Sequence, residues 1–242
     1  MPIKIYQWQK SDENPSDSYF CMKLESYVKA MSINYETEIT FDIRVSPTGM
    51  FHFMEYNNQI LKDSSSAITY LESKVTTPMQ ISLNKSQISE SWALIRLIED
   101  HLYIIALYSR WLDRSTYNDW EKRIKKYLSI PNFLSSIMLR SMRKNIQKKV
   151  DSHNVGIYSI SELYELGCKD ISILSDYLSN KRFFYENKPT LLDHCVYSIV
   201  ASILHMPWDY QLKDHLLSKN NLILHYKVMM GYFFPNYEVH LL

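Results

Sequence analysis

Ser18 and Cys21 stand where the sequence predicts the first turn of a helix, and their side chains could do chemistry there. From Phe20 onward apolar side chains recur at helical spacing, at Leu24, Tyr27, Val28 and Met31. The amides of a first turn have no partner within the helix, and the helix dipole places partial positive charge there. A thiolate or a bound carboxylate is favoured in such a place. This stretch therefore predicts a site for one of these two groups.

The elements that would position this turn form a small sheet. Residues 3–6 alternate like a half-buried strand, and residues 33–39 predict a second strand. Because one helix connects these strands, a parallel, right-handed crossover is favoured. The pattern then predicts a hairpin over 50–56 and 59–61, with a turn at Asn57-Asn58, and a helix over 62–72. The predicted order is βαβ followed by ββα.

The rest of the chain has the pattern of an all-helical domain. A linker over 73–85 places the domain boundary near 76–86, which divides the chain into an α/β domain (1–76) and a helical domain (86–242). The predicted helices cover 88–112, 117–128, 133–150, 159–178, 190–204, 208–217 and 220–233.

Composition narrows the class of protein. The chain has 242 residues, 46% of them hydrophobic, and a net charge of +1, which gives no indication of nucleic-acid or membrane-surface binding. Three scattered cysteines predict neither a disulfide framework nor a zinc motif and favour a reducing cytoplasmic compartment. The N-terminus lacks the apolar stretch of a signal peptide, and no apolar run is long enough for a membrane-spanning helix. Only four glycines are present, which excludes Gly-rich phosphate loops.

Two segments of the N-terminal domain carry a family resemblance. Residues 18–25 read SYFCMKLE, and residues 49–57 read GMFHFMEYN and are followed by Asp63-Ser64. Both resemble the glutathione transferase superfamily, and the first is most similar to its metaxin and failed-axon-connections branch, with Tyr19 in place of a proline. The resemblance implies an α/β plus all-α fold, with an N-terminal thioredoxin-like domain (βαβ-ββα) and a C-terminal helical bundle.

Two later segments extend the resemblance over nearly the whole chain. Residues 99–103 read EDHLY and residues 108–111 read YSRW, similar to the first long helix of the helical domain in the metaxin-like branch. Residues 188–197 read KPTLLDHCVY, similar to a helix start of the superfamily. There Thr190 and Asp193 have the spacing of a capping box. We expect the loss of the Asp193 carboxylate to cost about 1 kcal/mol of stability.

The resemblance also implies where glutathione would bind. Asp63 and Ser64 would hold its γ-glutamyl end at a helix start: backbone amides and the Ser64 hydroxyl take the carboxylate, and Asp63 takes the ammonium. The alternative is that one of these two residues is simply the N-cap of the helix. His52 and Phe53 would lie beside the cysteinyl part of glutathione.

His52 departs from the family, which has a cis proline at this position. A cis bond before a residue other than proline costs about 3 kcal/mol. The bond before His52 is therefore either trans, with an altered loop, or a strained cis bond. We expect this substitution to weaken the glutathione site, so that His52→Pro tightens binding. The alternative is that His52 is a functional polar group in the cleft.

Ser18 is the candidate catalytic residue that the resemblance implies. Its hydroxyl would hydrogen-bond the glutathione sulfur and favour the thiolate, helped by the helix start. Cys21, one turn into the helix, is expected to pack inside, where burial raises a thiol pKa. Tyr6, at the end of the first strand, is the second candidate for activating the sulfur.

The long helix at 88–112 would line the pocket for the electrophile. On the functional interpretation Tyr103 and Tyr108 are pocket walls and Arg110 is a partner for an anion. The alternative is a buried polar pair between Glu99 and Arg110 that joins the two domains.

Two hypotheses of function follow. The first is an enzyme that conjugates glutathione to an electrophilic small molecule, with glutathione as a substrate rather than a resident cofactor. The second is a non-catalytic, metaxin-like interaction module with a degenerate glutathione site and a protein partner. A homodimer is compatible with either hypothesis. The histidines lack ligand spacing, so no metal site is expected, and the basic stretch 140–149 is interpreted as a solvated helix face.

Overall fold

The computed structural model describes residues 3–8, 14–40, 46, 53–79, 82–128, 130–153, 155–185 and 188–237. Its N-terminal part contains a four-stranded sheet in the order β2-β1-β3-β4. The strands are β1 (Ile3–Gln7), β2 (Tyr35–Ile39), β3 (Phe53–Tyr56) and β4 (Gln59–Leu61).

The sheet is mixed, as the sequence predicts. β1 runs parallel to β2 and antiparallel to β3, so that Ile5 lies opposite both Thr37 and Met54. β3 and β4 are joined by Asn57 and Asn58, whose φ angles of 49° and 60° are those that a two-residue hairpin of type I′ requires. The sequence also predicts a short irregular or helical turn over 41–48, and of these residues only Ser46 is among the described ones.

Two helices cover one face of this sheet. They are α1 (Tyr19–Ala30) and α2 (Ser64–Glu72), and their apolar sides pack with Ile5 and Met54 in a fully buried cluster. This is the thioredoxin-like arrangement that the βαβ-ββα order predicts. The burial of alternate β1 residues fixes which side chains face the helices.

The C-terminal part is helical, and its helices bury a second and larger apolar cluster. Because the opposite face of α1 packs on α8, one helix belongs to both layers. The helices are α3 (Lys85–Arg96), α4 (Tyr103–Trp111), α5 (Tyr117–Tyr127), α6 (Asn132–Ser152), α7 (Ile160–Leu178), α8 (Leu191–Leu204), α9 (Gln211–Leu217) and α10 (Asn220–Phe233). α9 begins three residues later than predicted, because Tyr210 is extended, with φ −162° and ψ 160°.

α3 and α4 are two parts of one continuous helix, which is interrupted by a π-helical segment, Leu97–Leu102. Two polar side chains of this segment reach other elements. Glu99 is bonded to α1, and His101 Nδ1 lies 2.5 Å from Asp170 Oδ2 on α7. π-helical turns inside α-helices are frequent at functional sites. This one carries two of the long-range polar contacts of the fold.

Among the described residues, no helix is both long and apolar enough to cross a bilayer. In the same part of the chain, no three His, Cys, Asp or Glu side chains are grouped as metal ligands.

Candidate functional site

Ser18 is the N-cap of α1, with an extended backbone (φ −101°, ψ 122°). Its side chain makes no capping hydrogen bond to the amides of the first turn, and the residue is half-buried. An N-cap serine normally accepts such a bond. The hydroxyl of Ser18 therefore does not cap the helix, although capping is the usual reason for a serine at this position.

The residue before Ser18 is fixed by two arginines of the helical domain. The carboxylate of Asp17 is buried and accepts hydrogen bonds from Nε and Nη2 of the partly buried Arg123, both at 2.9 Å. Nη1 of Arg110 donates to the carbonyl oxygen of Asp17 at 2.9 Å. Bidentate arginine pairs fix geometry as well as contribute energy. The position of Ser18 is thus set by α4 and α5 and not only by its own loop.

Arg110 has a different role from either of the two predicted for it. Its guanidinium donates to the carbonyl oxygens of Asp17 and Ser202, and it lies over the ring of Trp120 at 5.3 Å. The predicted pair between Glu99 and Arg110 is not formed, which corrects that expectation. Helical spacing places the two residues near one face, but the nearest acceptors for Arg110 are backbone carbonyls of other segments.

Cys21 is fully buried, and burial raises the pKa of its thiol to about 11. Hydrogen bonds with Ser18, Trp8 and Ser16 lower the pKa, but burial has the larger effect. At neutral pH the side chain is a neutral thiol, which can donate its S–H to an oxygen. Cys21 therefore packs beneath Ser18 and is not a nucleophile in this state.

Lys23 and Glu99 form a buried ion pair between α1 and the π-helical segment. Lys23 Nζ lies 2.5 Å from Glu99 Oε1, and the two side chains are only 2% and 5% exposed. Glu99 also accepts hydrogen bonds from the hydroxyl of Tyr19 and from the guanidinium of Arg96. Tyr19 stands where the family that this segment resembles has a proline. Its hydroxyl bonds to Glu99, so Tyr19 takes part in the ion-pair network that links the two domains.

The start of α2 is capped by its own residues. Asp63 Oδ1 accepts from the amides of Ser65 and Ser66, and Oδ2 accepts from the hydroxyl of Ser66, which is a capping box. The ammonium of Lys23 donates to Ser65 Oγ at 3.0 Å. Ser64 Oγ is buried and has no hydrogen-bond partner in the described part of the chain. A buried hydroxyl without a partner is an unfavourable arrangement that a ligand could relieve.

Tyr6 and Phe53 lie against each other in the sheet. Their rings are stacked with centroids 4.4 Å apart, and Phe53 is buried. The hydroxyl of Tyr6 donates to Glu55 Oε2 at 3.0 Å, and burial, followed by this bond, raises the pKa of Tyr6. A tyrosine that activates a thiol needs a free hydroxyl, so this geometry does not favour Tyr6 as the activator. His52 lies outside the described residues, and its role stays a prediction.

An aromatic wall lies beside the first turn of α1. The rings of Phe20 and Tyr103 meet edge to face at 4.8 Å, and Lys149 Nζ lies 5.3 Å from the centroid of Tyr103 and 5.8 Å from that of Phe20. Burial lowers the pKa of Lys149, whereas the negative charges of Asp100 and Glu99 raise this pKa by a smaller amount. The structure thus brings a cation and two rings together beside the first turn of α1.

Tyr103 and Tyr108, which were predicted to line one pocket, lie apart in the structure. Tyr103 faces α1, with burial raising its pKa to about 12, whereas Tyr108 lies near Asp113 and Tyr164. The two tyrosines are five positions apart in the helix, and this spacing turns their side chains to different faces. Of the two, Tyr103 belongs to the aromatic wall and Tyr108 does not.

Sequence reasoning missed three residues that shape the site: Lys23, Arg123 and Lys149. Lys23 follows Tyr19 at the i,i+4 spacing of one helix face, which is a weak signal that both reach the same partner. Arg123 and Lys149 gave no signal, because their contacts with Asp17 and with Phe20 are between distant parts of the chain.

The structure combines a thioredoxin-like domain with an all-helical domain, and the N-terminus of the first helix faces the helical domain. This combination is typical of one class of proteins. Solved structures of glutathione transferases have this fold. A glutathione transferase from Phanerochaete chrysosporium superimposes with a TM-score of 0.65 at 14% identity, covering 97% of this chain and 98% of that one. The beta-etherase LigF from a Sphingobium strain gives 0.64 at 11% identity, covering 96% of each chain.

Family models give the same result from sequence. The glutathione S-transferase N-terminal domain matches residues 19–116, and the glutathione S-transferase C-terminal domain matches residues 167–229. The chain belongs to the glutathione S-transferase superfamily, as residues 18–25 and the later segments predicted.

Curated relatives include proteins of the predicted branch. Failed axon connections of Drosophila melanogaster is 30% identical over 98% of this chain, and mouse metaxin-2 is 24% identical over 66% of it. The chain spans only 59% and 60% of the lengths of these two relatives. Isoprene-epoxide–glutathione S-transferase of a Rhodococcus strain is 25% identical over 91% of this chain and 94% of its own length.

Proposed function

We propose that this chain binds glutathione at the N-terminus of α1 and transfers it to an electrophilic small molecule. The observation that carries the proposal is the hydroxyl of Ser18, which stands at the N-cap without capping an amide and is only half-buried. It lies at the positive end of the helix dipole, where a thiolate is stabilised. Two arginines hold the preceding residue in place.

The chemistry of this arrangement is nucleophilic. Ser18 donates its O–H to the glutathione sulfur and so favours the thiolate, whose proton passes to solvent. The thiolate forms a carbon–sulfur bond while the bond from that carbon to the departing oxygen or halogen breaks. The departing atom keeps the electron pair, and an alkoxide formed in this way takes a proton from water. Cys21 stays protonated at neutral pH and can donate its S–H to Ser18 Oγ, which leaves the hydroxyl hydrogen of Ser18 for the ligand. Cys21 is therefore a positioning residue in this proposal.

Two further features fit the substrates. The orphan hydroxyl of Ser64, in the first turn of α2, can serve the γ-glutamyl carboxylate of glutathione. Phe20, Tyr103 and Lys149 offer an apolar wall with one cation, which suits an uncharged electrophile that gains negative charge as it reacts. The name of the Rhodococcus relative specifies an epoxide, and we propose the same class of electrophile for this chain.

The test compares two N-cap serines. Ser18→Ala should lower the turnover of glutathione with an epoxide or an aromatic halide by ~10-fold or more, about 1.4 kcal/mol, at unchanged stability. Ser159, the exposed N-cap of α7, makes a capping box with Glu162, so Ser159→Ala should cost about 1 kcal/mol of stability and leave turnover unchanged. Equal turnover of Ser18→Ala and the wild type would reject Ser18 as the group that stabilises the thiolate.

A non-catalytic interaction module is the second candidate, and the start of α2 favours it. Both carboxylate oxygens of Asp63 are used in capping, and Lys23 brings a cation to Ser65 where the ammonium of glutathione would lie. Calorimetry with glutathione separates the candidates. Wild-type protein that binds no glutathione and shows no turnover, together with a His52→Pro variant that does bind, would favour the degenerate site.

Compartment and assembly belong to the same proposal. The three cysteines are not joined by disulfide bonds, which supports a reducing compartment such as the cytoplasm. We expect a homodimer in solution, and sedimentation analysis of the full chain measures it. A monomer with undiminished turnover would show that a dimer is not needed for the chemistry.

A further inference from the structure

Exposed apolar side chains are concentrated in one part of the described chain. Of the fourteen large apolar residues that are exposed there, seven lie between residues 130 and 160: Ile130, Phe133, Leu134, Ile137, Ile157, Tyr158 and Ile160. Single exposed apolar residues are normal on a protein surface, but a contiguous group marks an interaction site. The group falls between the two family models, which match 19–116 and 167–229.

The long helix α6 arranges part of this group in a line with cations. Phe133, Ile137, Arg140, Lys144 and Lys148 follow at steps of three and four residues, which places them on one helix face, and all five are exposed. We call these five residues the α6 stripe. Its first two side chains are apolar, 66% and 61% exposed, and its last three are cations.

The cations of the stripe are uncompensated. Within the described ranges no ion pair involves Arg140, Lys144 or Lys148, and α6 contains a single acidic residue, Asp151. The other two basic residues of the helix are turned elsewhere: Arg143 lies over the ring of Tyr117 and Lys149 over the aromatic wall. The stripe is therefore a local concentration of positive charge that the net charge of +1 conceals.

The turn after α6 also exposes apolar side chains. A Cβ atom built on Gly156 would lie 3.2 Å from Asp151 Oδ1, so this turn lies against the last part of the helix. Ile157, which follows, is 75% exposed. Apolar side chains are therefore exposed both at the start of α6 and just after its end.

We propose that the α6 stripe is a docking surface for an anionic phospholipid bilayer. Phe133 and Ile137 enter the region between headgroups and acyl chains, and the three cations bind lipid phosphates and carboxylates. The stripe is the exposed face of a single helix, and such a face alone offers no pocket for the anchor residues of a protein partner. A nucleic acid would use the cations and leave the exposed apolar side chains in water. A bilayer surface accommodates both kinds of side chain.

Sedimentation with lipid vesicles tests this. The full chain is mixed with vesicles of phosphatidylcholine, with and without phosphatidylserine at roughly a third of the lipid. We expect binding to the anionic vesicles only, weakened by salt, which screens surface charge. The triple variant Arg140→Gln, Lys144→Gln, Lys148→Gln should bind about 100-fold more weakly, since each cation near an anionic surface contributes about fivefold.

Two controls keep the test specific. Lys85→Gln, Lys169→Gln, Lys227→Gln removes the same charge from exposed lysines of other helices and should change binding less than about fivefold. Phe133→Ser with Ile137→Ser should weaken binding by at least ~10-fold, whereas Leu224→Ser, also 61% exposed in the wild type, should not.

Three results would overturn the proposal. The first is equal binding of the wild type to neutral and anionic vesicles, or binding to neither. The second is an equal loss in the two triple variants, which would indicate a response to net charge alone. The third is tighter binding to duplex DNA or polyglutamate than to anionic vesicles with no effect of the Phe133 and Ile137 changes, which would make the stripe a polyanion site.

Discussion

Replacement of Asp193 by alanine should destabilise this protein far more than the loss of one helix cap. Asp193 is fully buried in the first turn of α8 and accepts four hydrogen bonds. Oδ2 accepts from the amide and the hydroxyl of Thr190 at 2.7 and 2.8 Å, and Oδ1 accepts from the amide of Phe184 and from His225 Nε2, both at 2.9 Å. The carboxylate therefore joins the start of α8 to the preceding loop and to α10.

The magnitude follows from the donors left behind. In Asp193→Ala the hydroxyl of Thr190 can rotate, but two amides and one ring N–H remain buried without an acceptor. At about 1–2 kcal/mol each, the expected loss is roughly 3–6 kcal/mol. The sequence alone suggested about 1 kcal/mol, because a capping box was the only role visible in it. Against a typical total stability of about 5–15 kcal/mol, the larger loss is severe.

Urea unfolding followed by circular dichroism measures this loss. Asp119→Ala is the matched control, because the Asp119 side chain is 48% exposed and pairs with that of Lys122, which is 77% exposed, so its loss should stay within about 1 kcal/mol. Asp193→Asn keeps one acceptor oxygen and should lose about half as much as Asp193→Ala, which keeps the test usable if the alanine variant does not fold. A loss below about 2 kcal/mol for Asp193→Ala would refute the reasoning from stranded donors.

Three other predictions concern buried ionisable groups. Lys23→Met should lower the free energy of unfolding by about 3 kcal/mol or more, because the buried carboxylate of Glu99 loses a cation. Adding Glu99→Gln should recover part of this free energy. A double-mutant cycle that shows no coupling between the two positions would contradict the buried pair. Burial lowers the pKa of His194 from 6.5 to about 4, so the unfolded state binds the proton first and stability falls by about 3 kcal/mol as pH drops through that window. His194→Asn should remove this slope and exposed His153→Gln should not, in urea titrations at several pH values. Cys21 should resist iodoacetamide in the native protein at pH 8 and react after denaturation, by peptide mass spectrometry, and rapid native labelling would be inconsistent with its burial.

Much of the fold follows from local patterns. Helix α10 (Asn220–Phe233) occupies the predicted residues, and the capping box at Ser159 marks the start of α7 as expected. The hairpin turn at Asn57 and Asn58 follows from the tolerance of asparagine for positive φ. These features depend on neighbouring residues, so a single sequence contains the information that determines them.

The polar contacts between the two parts of the molecule could not be predicted in the same way. Glu99 has partners 3 and 76 residues away, Arg96 and Lys23, and helical spacing indicated Arg110 instead. Periodicity shows which face of a helix is buried but not which segment covers that face. For the same reason the ion pair between Arg123 and Asp17 could not be predicted from the sequence, although this ion pair fixes the residue next to Ser18.

The π-helical segment, Leu97–Leu102, has a consequence for how this helix can change in length. A π turn holds one residue more than an α turn, so deletion of one residue within the segment could restore an uninterrupted α-helix. Because that one turn absorbs the extra residue, the deletion would leave α3 and α4 in their present relative orientation, whereas a deletion elsewhere in the helix would rotate one side by about 100° relative to the other. The side chains within the segment would change direction, and two of them bond to other elements, Glu99 to α1 and His101 to α7. The extra residue therefore sets the directions of these two side chains, and shortening the chain here should be more damaging than shortening an exposed loop.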